Sequence, residues 1–197
     1  YGRGTSQAAF VAVVAAAADY TSTLITNASS VAGAFVTNAL NNLRAAACQA
    51  RRTTAFSLST AFADISLDTT DLEKVPTIID HLAGTPDRIS FVVAGTYEVH
   101  YHFDINAPDP TDTAEIQSRV TVNDVAAALA GSEGQSTTFD DTSIDGDQMT
   151  TQISVTFSRD FAAADFITLQ ALKVNVGGTP VVSLRAGSIV MSAKRIT

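Results

Sequence analysis

The chain has 197 residues, 46% hydrophobic and 16% charged, with no Trp, a single Cys (Cys48) and a formal net charge of −8. That apolar fraction supports a packed core, which excludes a disordered chain, and one Cys excludes an intrachain disulfide framework or a thiolate metal cluster. The acidic balance excludes nucleic acid as an expected partner, because duplex affinity rests on Lys and Arg neutralising phosphates.

The charge is divided unevenly. Residues 1–52 carry four basic side chains (Arg3, Arg44, Arg51, Arg52) and one acid (Asp19), whereas residues 53–197 carry eight basic and nineteen acidic ones. The first part is also rich in Ala, Thr, Ser, Asn and Val and lacks Pro. Two regions are expected, 1–52 and 53–197.

The first element is the unbroken apolar run Ala8 to Ala18, with Phe10 as its bulkiest residue. Eleven helical residues extend about 16 Å, well short of a hydrocarbon core of roughly 30 Å, so no membrane span is expected. A secretory leader has a similar layout, with Arg3 ahead of the run and small residues after it. The run is read instead as a segment buried in protein contacts. From Tyr20 to Arg52 there is one Gly (Gly33), and Leu24, Ala28, Val31, Phe35, Ala39 and Leu43 follow one another at steps of three or four. That spacing predicts a helix with one apolar stripe, and its small uncharged flanks predict a stalk or docking helix that packs against a partner, the alternative being a helix packed on its own domain.

After Arg52 the texture changes to short β-branched and aromatic runs separated by Gly, Pro, Asp and Asn about every ten residues, which predicts a β-sandwich or barrel. Strand-bearing stretches are expected at residues 55–67, 75–82, 89–105, 116–122, 149–157, 166–176 and 181–196, with one helical turn at 125–130. Turns are expected at Asn123-Asp124 and Asp145-Gly146, among others. The clearest strand is Ile89 to Ile105. There Phe91, Tyr97, Val99, Tyr101 and Phe103 share one parity and face a core, Glu98, His100, His102 and Asp104 share the other, and Gly95 marks a bulge or close contact.

The run from Ile89 to Phe103 resembles the strand signature of the trimeric jelly-roll family shared by complement component 1q heads and tumour-necrosis-factor ligands: a Gly (Gly95), an aromatic two residues on (Tyr97), then alternating Val99, Tyr101 and Phe103. Ala55 to Leu58, Val120 to Asp124, Phe166 to Ala171 and Ala186 to Ile196 fall in a matching order, so the resemblance covers about residues 55–197. It implies a mainly β fold, an antiparallel jelly-roll sandwich preceded here by an N-terminal α-helical stalk or anchor. It also implies a homotrimer closed through the aromatic and β-branched strand faces. The Thr/Ala/Asn-rich stalk, and the absence of collagen-like repeats, resemble the phage-fibre and capsid-decoration members. The expected role is a structural virion protein at the particle surface, bound to other virion proteins through Phe10, Leu24, Val31, Phe35 and Leu43. The alternative is a tail-fibre head that recognises a host receptor or glycan.

Chemistry is sparse. His100 and His102 lie at i and i+2, on one strand face, within reach of one ion; Asp145 and Asp147 belong to an acidic loop of four carboxylates without the spacing of an EF-hand. These are the metal candidates, and a surface pair and a solvated loop are the simpler accounts. No nucleophile elbow or phosphate-cradling Gly motif occurs, His81 stands alone in an apolar stretch, and Cys48 reads as a small packed residue of the helix. No enzyme activity and no cofactor are expected.

Overall fold

The computed structural model describes residues 3–82, 84–107, 113–137, 149–176, 178–179 and 181–196, and it divides into two compact units, residues 1–42 and 43–197. The first unit is most of one helix, α1, Arg3–Ala45. A run of Ala without Pro favours helix, and the β-branched Thr residues are satisfied within it. Thr21, Thr23 and Thr26 each donate a hydroxyl to the carbonyl four residues back, at 2.8–2.9 Å.

The helix ends earlier than the sequence suggests. Residues 47–52, expected as its last turns, form strand β1 (Ala47–Arg52) instead, and Cys48 is a buried strand residue. Ala46, Cys48 and Ala50 are buried while their neighbours are not, a period of two that Ala conceals because it suits a helix and a crowded core alike.

The remaining strands are β2 (Phe56–Ser57), β3 (Ala63–Asp64), β4 (Thr69–Lys74), β5 (Ile79–Asp80), β6 (Arg88–Phe91), β7 (Gly95–Ala107), β8 (Ala114–Val122), β9 (Gly134–Thr137), β10 (Met149–Phe161), β11 (Phe166–Asn175), β12 (Ser183–Leu184) and β13 (Ile189–Arg195). They form two antiparallel sheets, a jelly-roll sandwich. In the first, the order is β2-β12-β7-β13-β1-β4, with β10 paired along the other side of β7; in the second it is β5-β6-β11-β8-β9, with β3 also on β11.

The stretch Ile89 to Ile105 is therefore two strands in different sheets. Residues 92–94 carry the chain across the sandwich, with the Val92 amide donating to the Ile78 carbonyl at 2.9 Å. Phe91 still faces inward and stacks on Phe161, ring centroids 4.1 Å apart, with Tyr97 at 4.5 Å. Gly95 opens β7 opposite Phe161. β4 and β9 lie where no strand was expected, residues 55–67 supply only the short β2 and β3, and Val125–Ala130 forms turns rather than a helix. The Asn123-Asp124 turn matches expectation: both residues have positive φ (52° and 58°), and the Asn123 amide clamps the start of β11, accepting from the Phe166 amide at 3.0 Å and donating to Asp165 at 2.7 Å.

One polar network crosses the apolar interior. The buried Tyr101 hydroxyl donates to the Ser132 carbonyl at 2.7 Å and meets Ser118 Oγ at 2.9 Å. Ser132 Oγ in turn bonds the Val120 backbone amide and carbonyl. Burial pushes the Tyr101 phenol up to about 12, so it stays a neutral donor. The chain passes this network at Gly134, where a Cβ would collide with Ile153 Cγ2 and sit 2.7 Å from Ser118 Oγ. Gly134→Ala is expected to cost about 1–3 kcal/mol, read as a lower denaturant midpoint at unchanged slope; an unchanged midpoint would show that β9 gives way freely.

Candidate functional site

The core candidates Phe91, Tyr97, Val99, Tyr101 and Phe103 are all fully buried between the two sheets of one copy. They cannot close a trimer through their own faces, because those faces are spent on the sandwich. The surface available to a partner is the opposite parity of the first sheet. Across β10, β7, β13 and β1 its rows read Thr156, His100, Ser192, Gln49; then Ser154, His102, Val190, Arg51; then Ser158, Glu98, Lys194, Ala47. Half of these side chains are short (Thr156, Ser192, Ser154, Val190, Ser158 and Ala47), and the other half, His100, Gln49, His102, Arg51, Glu98 and Lys194, stand out from the sheet.

His100 and His102 share this face as the spacing requires, their rings 5.6 Å apart. His100 Nδ1 pairs with Thr156 Oγ1 at 2.9 Å. The His102 pKa is lowered, first by burial and then by the neighbouring imidazole, against an opposing pull from Asp104. Among the described residues no group of three or more His, Cys, Asp or Glu side chains is placed to hold a metal. The other metal candidates, Asp145 and Asp147, lie outside the described residues.

The expected isolation of His81 is corrected. It is buried and held at both ring nitrogens, by Thr70 Oγ1 at 2.8 Å and the Pro86 carbonyl at 3.2 Å, while its amide donates to Glu73 Oε1 at 3.1 Å. Glu73 also shares a hydrogen bond with Asp80. Burial, then the hydrogen bond and charge of Glu73, push Asp80 up to about 6, while Glu73 is lowered, chiefly by the same bond. Below about pH 6 the two carboxyls therefore share one proton. Nearby Cys48 is buried, and desolvation raises its thiol to about 12, which removes it as a nucleophile.

On α1 the anchor candidates are strongly exposed: Phe10 68%, Leu24 50%, Val31 70% and Phe35 75%. Leu43 belongs to the helix, but its side chain lies outside the described residues. The stripe is longer than expected and stricter in period. Phe10, Val14, Ala17, Thr21, Leu24, Ala28, Val31 and Phe35 alternate steps of four and three, the 3.5-residue repeat of a left-handed coiled-coil seam. Leu24, Ala28, Val31 and Phe35 line a shallow apolar groove along it. Val11, Val13, Ile25 and Val36 are also exposed away from the seam, so the helix is apolar on several sides. Residues Ala9–Thr37, 29 in all with mean hydropathy 1.5, are long and apolar enough to cross a membrane. This corrects the length argument drawn from Ala8 to Ala18, which took too short a window.

No protein-family model and no curated protein sequence matches the chain. Solved structures do. An Eiger TNF from S. frugiperda superposes with a TM-score of 0.53 at 11% identity over 78% of this chain and 94% of that one. Murine APRIL gives 0.51 at 10% over 77% and 98%, and the globular domain of zebrafish complement 1qA gives 0.50 at 11% over 77% and 98%. At such identities the likeness establishes the fold, a tumour-necrosis-factor and complement-1q type jelly roll.

The carboxyl pair sets a sign for pH dependence. A carboxyl raised from 3.8 to about 6 on folding favours the folded state while protonated, so its contribution is present below pH 3.8 and is lost as pH rises through about 6. Asp80→Asn, which keeps a donor for Glu73, is expected to melt higher than the parent at pH 7, with the gap shrinking towards zero near pH 4; a gap independent of pH would dissociate Asp80 from the shared proton.

Proposed function

We propose that the chain is a non-catalytic, homotrimeric attachment protein, in which the jelly-roll head is presented on an N-terminal helix that packs against its copies and against the structure that carries it. The single observation behind this reading is the exposed 3.5-residue seam of α1, from Phe10 to Phe35. Such a stripe of bulky apolar residues leaves area exposed that only a partner removes from water, at roughly 25 cal/mol per Å². Thr21 at a seam position suits a register-setting polar layer.

The carrier in this proposal is a virus particle, with capsid decoration or a head fibre favoured over a tail-fibre tip. The support is compositional: a short Thr/Ala/Asn-rich stalk and a small acidic head suit local binding to a lattice and discourage non-specific association. A second reading, with the helix spanning a bilayer, is favoured by the length and hydropathy of Ala9–Thr37.

Light scattering of the full chain without detergent is expected to give three times the 20.5 kDa chain mass, and Leu24→Asp with Phe35→Asp to lower it. A monomer at micromolar concentration would remove the reading, and solubility only with detergent or vesicles would transfer it to the bilayer. Deletion of residues 1–44 is expected to leave a folded head that no longer binds its particle. The cut must precede Ala47, because β1 lies between β13 and β4 and its loss would split the first sheet.

A further inference from the structure

On the outer side of the second sheet, a cleft of about 460 Å³ opens between β8, β9 and the segment carrying Phe62. That volume falls in the range of small-molecule sites. Arg119 lines it, with its side chain held from two directions. Arg119, Gln170 and Asp64 are register partners in one row across β8, β11 and β3. Arg119 Nε donates to Gln170 Oε1 at 2.8 Å, and Gln170 Nε2 donates to Asp64 Oδ1 at 2.7 Å. The guanidinium carbon sits 3.8 Å from the centroid of the Phe62 ring.

This row occupies Nε and fixes the plane of the fork, while among the described residues neither terminal Nη has a hydrogen-bond acceptor. A pre-oriented guanidinium with both terminal nitrogens available matches a carboxylate in a bidentate pair, with little side-chain entropy left to lose. The rest of the lining narrows the ligand. Ala128 and the part of the Phe62 ring that Arg119 does not cover offer apolar surface for C–H groups, and Gln117 and Gln135 offer amides for hydroxyls. Gln117 Nε2 gives one of its two hydrogens to Glu115, and its carbonyl is left to accept. Glu133 also lines the cleft, and with nineteen acids in residues 53–197 it opposes a doubly charged phosphate or a sulfated chain.

We infer that this cleft is a binding site for a singly charged acidic sugar, its carboxylate on Arg119, its ring against Ala128 and the uncovered part of Phe62, and its hydroxyls on Gln117, Gln135 and Glu133. The same chemistry is presented by a free uronic or sialic acid and by the acidic terminus of a glycan. The site does not depend on how α1 is used or on the number of copies assembled.

Saturation-transfer NMR and calorimetry on the full chain, with D-glucuronate and N-acetylneuraminate as probes and glucose and inorganic phosphate as controls, test this. At least one acid is expected to bind with a Kd of about 1 mM, at least tenfold tighter than glucose or phosphate. Arg119→Gln and Arg119→Lys are each expected to weaken it by about tenfold, since Lys keeps the charge but not the fork. Glu133 is exposed, and Glu133→Gln is expected to fold and to improve phosphate binding relative to the acid, which keeps the test valid if the Arg119 variants do not fold. Equal binding of methyl β-D-glucuronide and glucuronate would identify a glycan terminus as the source, and preference for the free acid a small metabolite; both uphold the site. No binding of either acid at about 20 mM, phosphate binding as tightly as the acid, or acid binding unchanged in folded Arg119 variants would overturn it.

Discussion

The alternation along β7 constrains the whole head, because this strand is paired along its length with β10 on one side and with β13 and β12 on the other, so none of its side chains can change face without breaking both ladders. One parity, Tyr97, Val99, Tyr101, Phe103 and Ile105, is sealed in the sandwich. The other, Glu98, His100, His102 and Asp104, is fixed as an outer surface. A partner on the outer face of the first sheet would therefore meet His100, His102 and the polar and charged side chains around them rather than the aromatics, whose burial stabilises each copy by itself.

The interior is not purely apolar, and its polar exceptions organise the second sheet. Tyr101 reaches across to Ser118 and the Ser132 carbonyl, tying β7 to β8 and to the segment that leads into β9. An unpaired hydroxyl there would cost about 1–3 kcal/mol, so the network fixes the approach of the sheets and demands the missing side chain at Gly134. On the outer side of the same strands, Arg119, Gln170 and Asp64 form a row. Inner and outer residues of β8 thus serve different ends: Ser118 holds the fold, and Arg119 is held ready for a ligand.

The helix poses the opposite problem. Its backbone is satisfied internally and its Thr hydroxyls return to the backbone, yet Phe10, Leu24, Val31 and Phe35 remain in water. Helix propensity explains why α1 forms and burial explains nothing about it, since no side chain in its described central span is buried within its own unit. Packing on copies, on a carrier surface or within lipid each removes that area.

Composition and period alone determined the division into a low-charge helical segment and an acidic β head, the parity of β7, the Asn123-Asp124 turn and the existence of the longer strands. These are local properties, written in the spacing of neighbouring residues. Tertiary structure decided the rest. It turned Ala47–Arg52 from helix to strand, because Ala fits either and only the gap between β13 and β4 selects the extended form. It split Ile89–Ile105 between two sheets, because a crossover at residues 92–94 leaves the alternation almost unbroken. It gave His81 its partners Thr70 and Pro86 and raised the Asp80 pKa through Glu73 of β4, and it brought Asp64, Arg119 and Gln170, spread over more than a hundred residues, into one row with Phe62 stacked on Arg119. Sequence spacing reports which face a side chain takes; only the pairing of distant strands reports what it meets there.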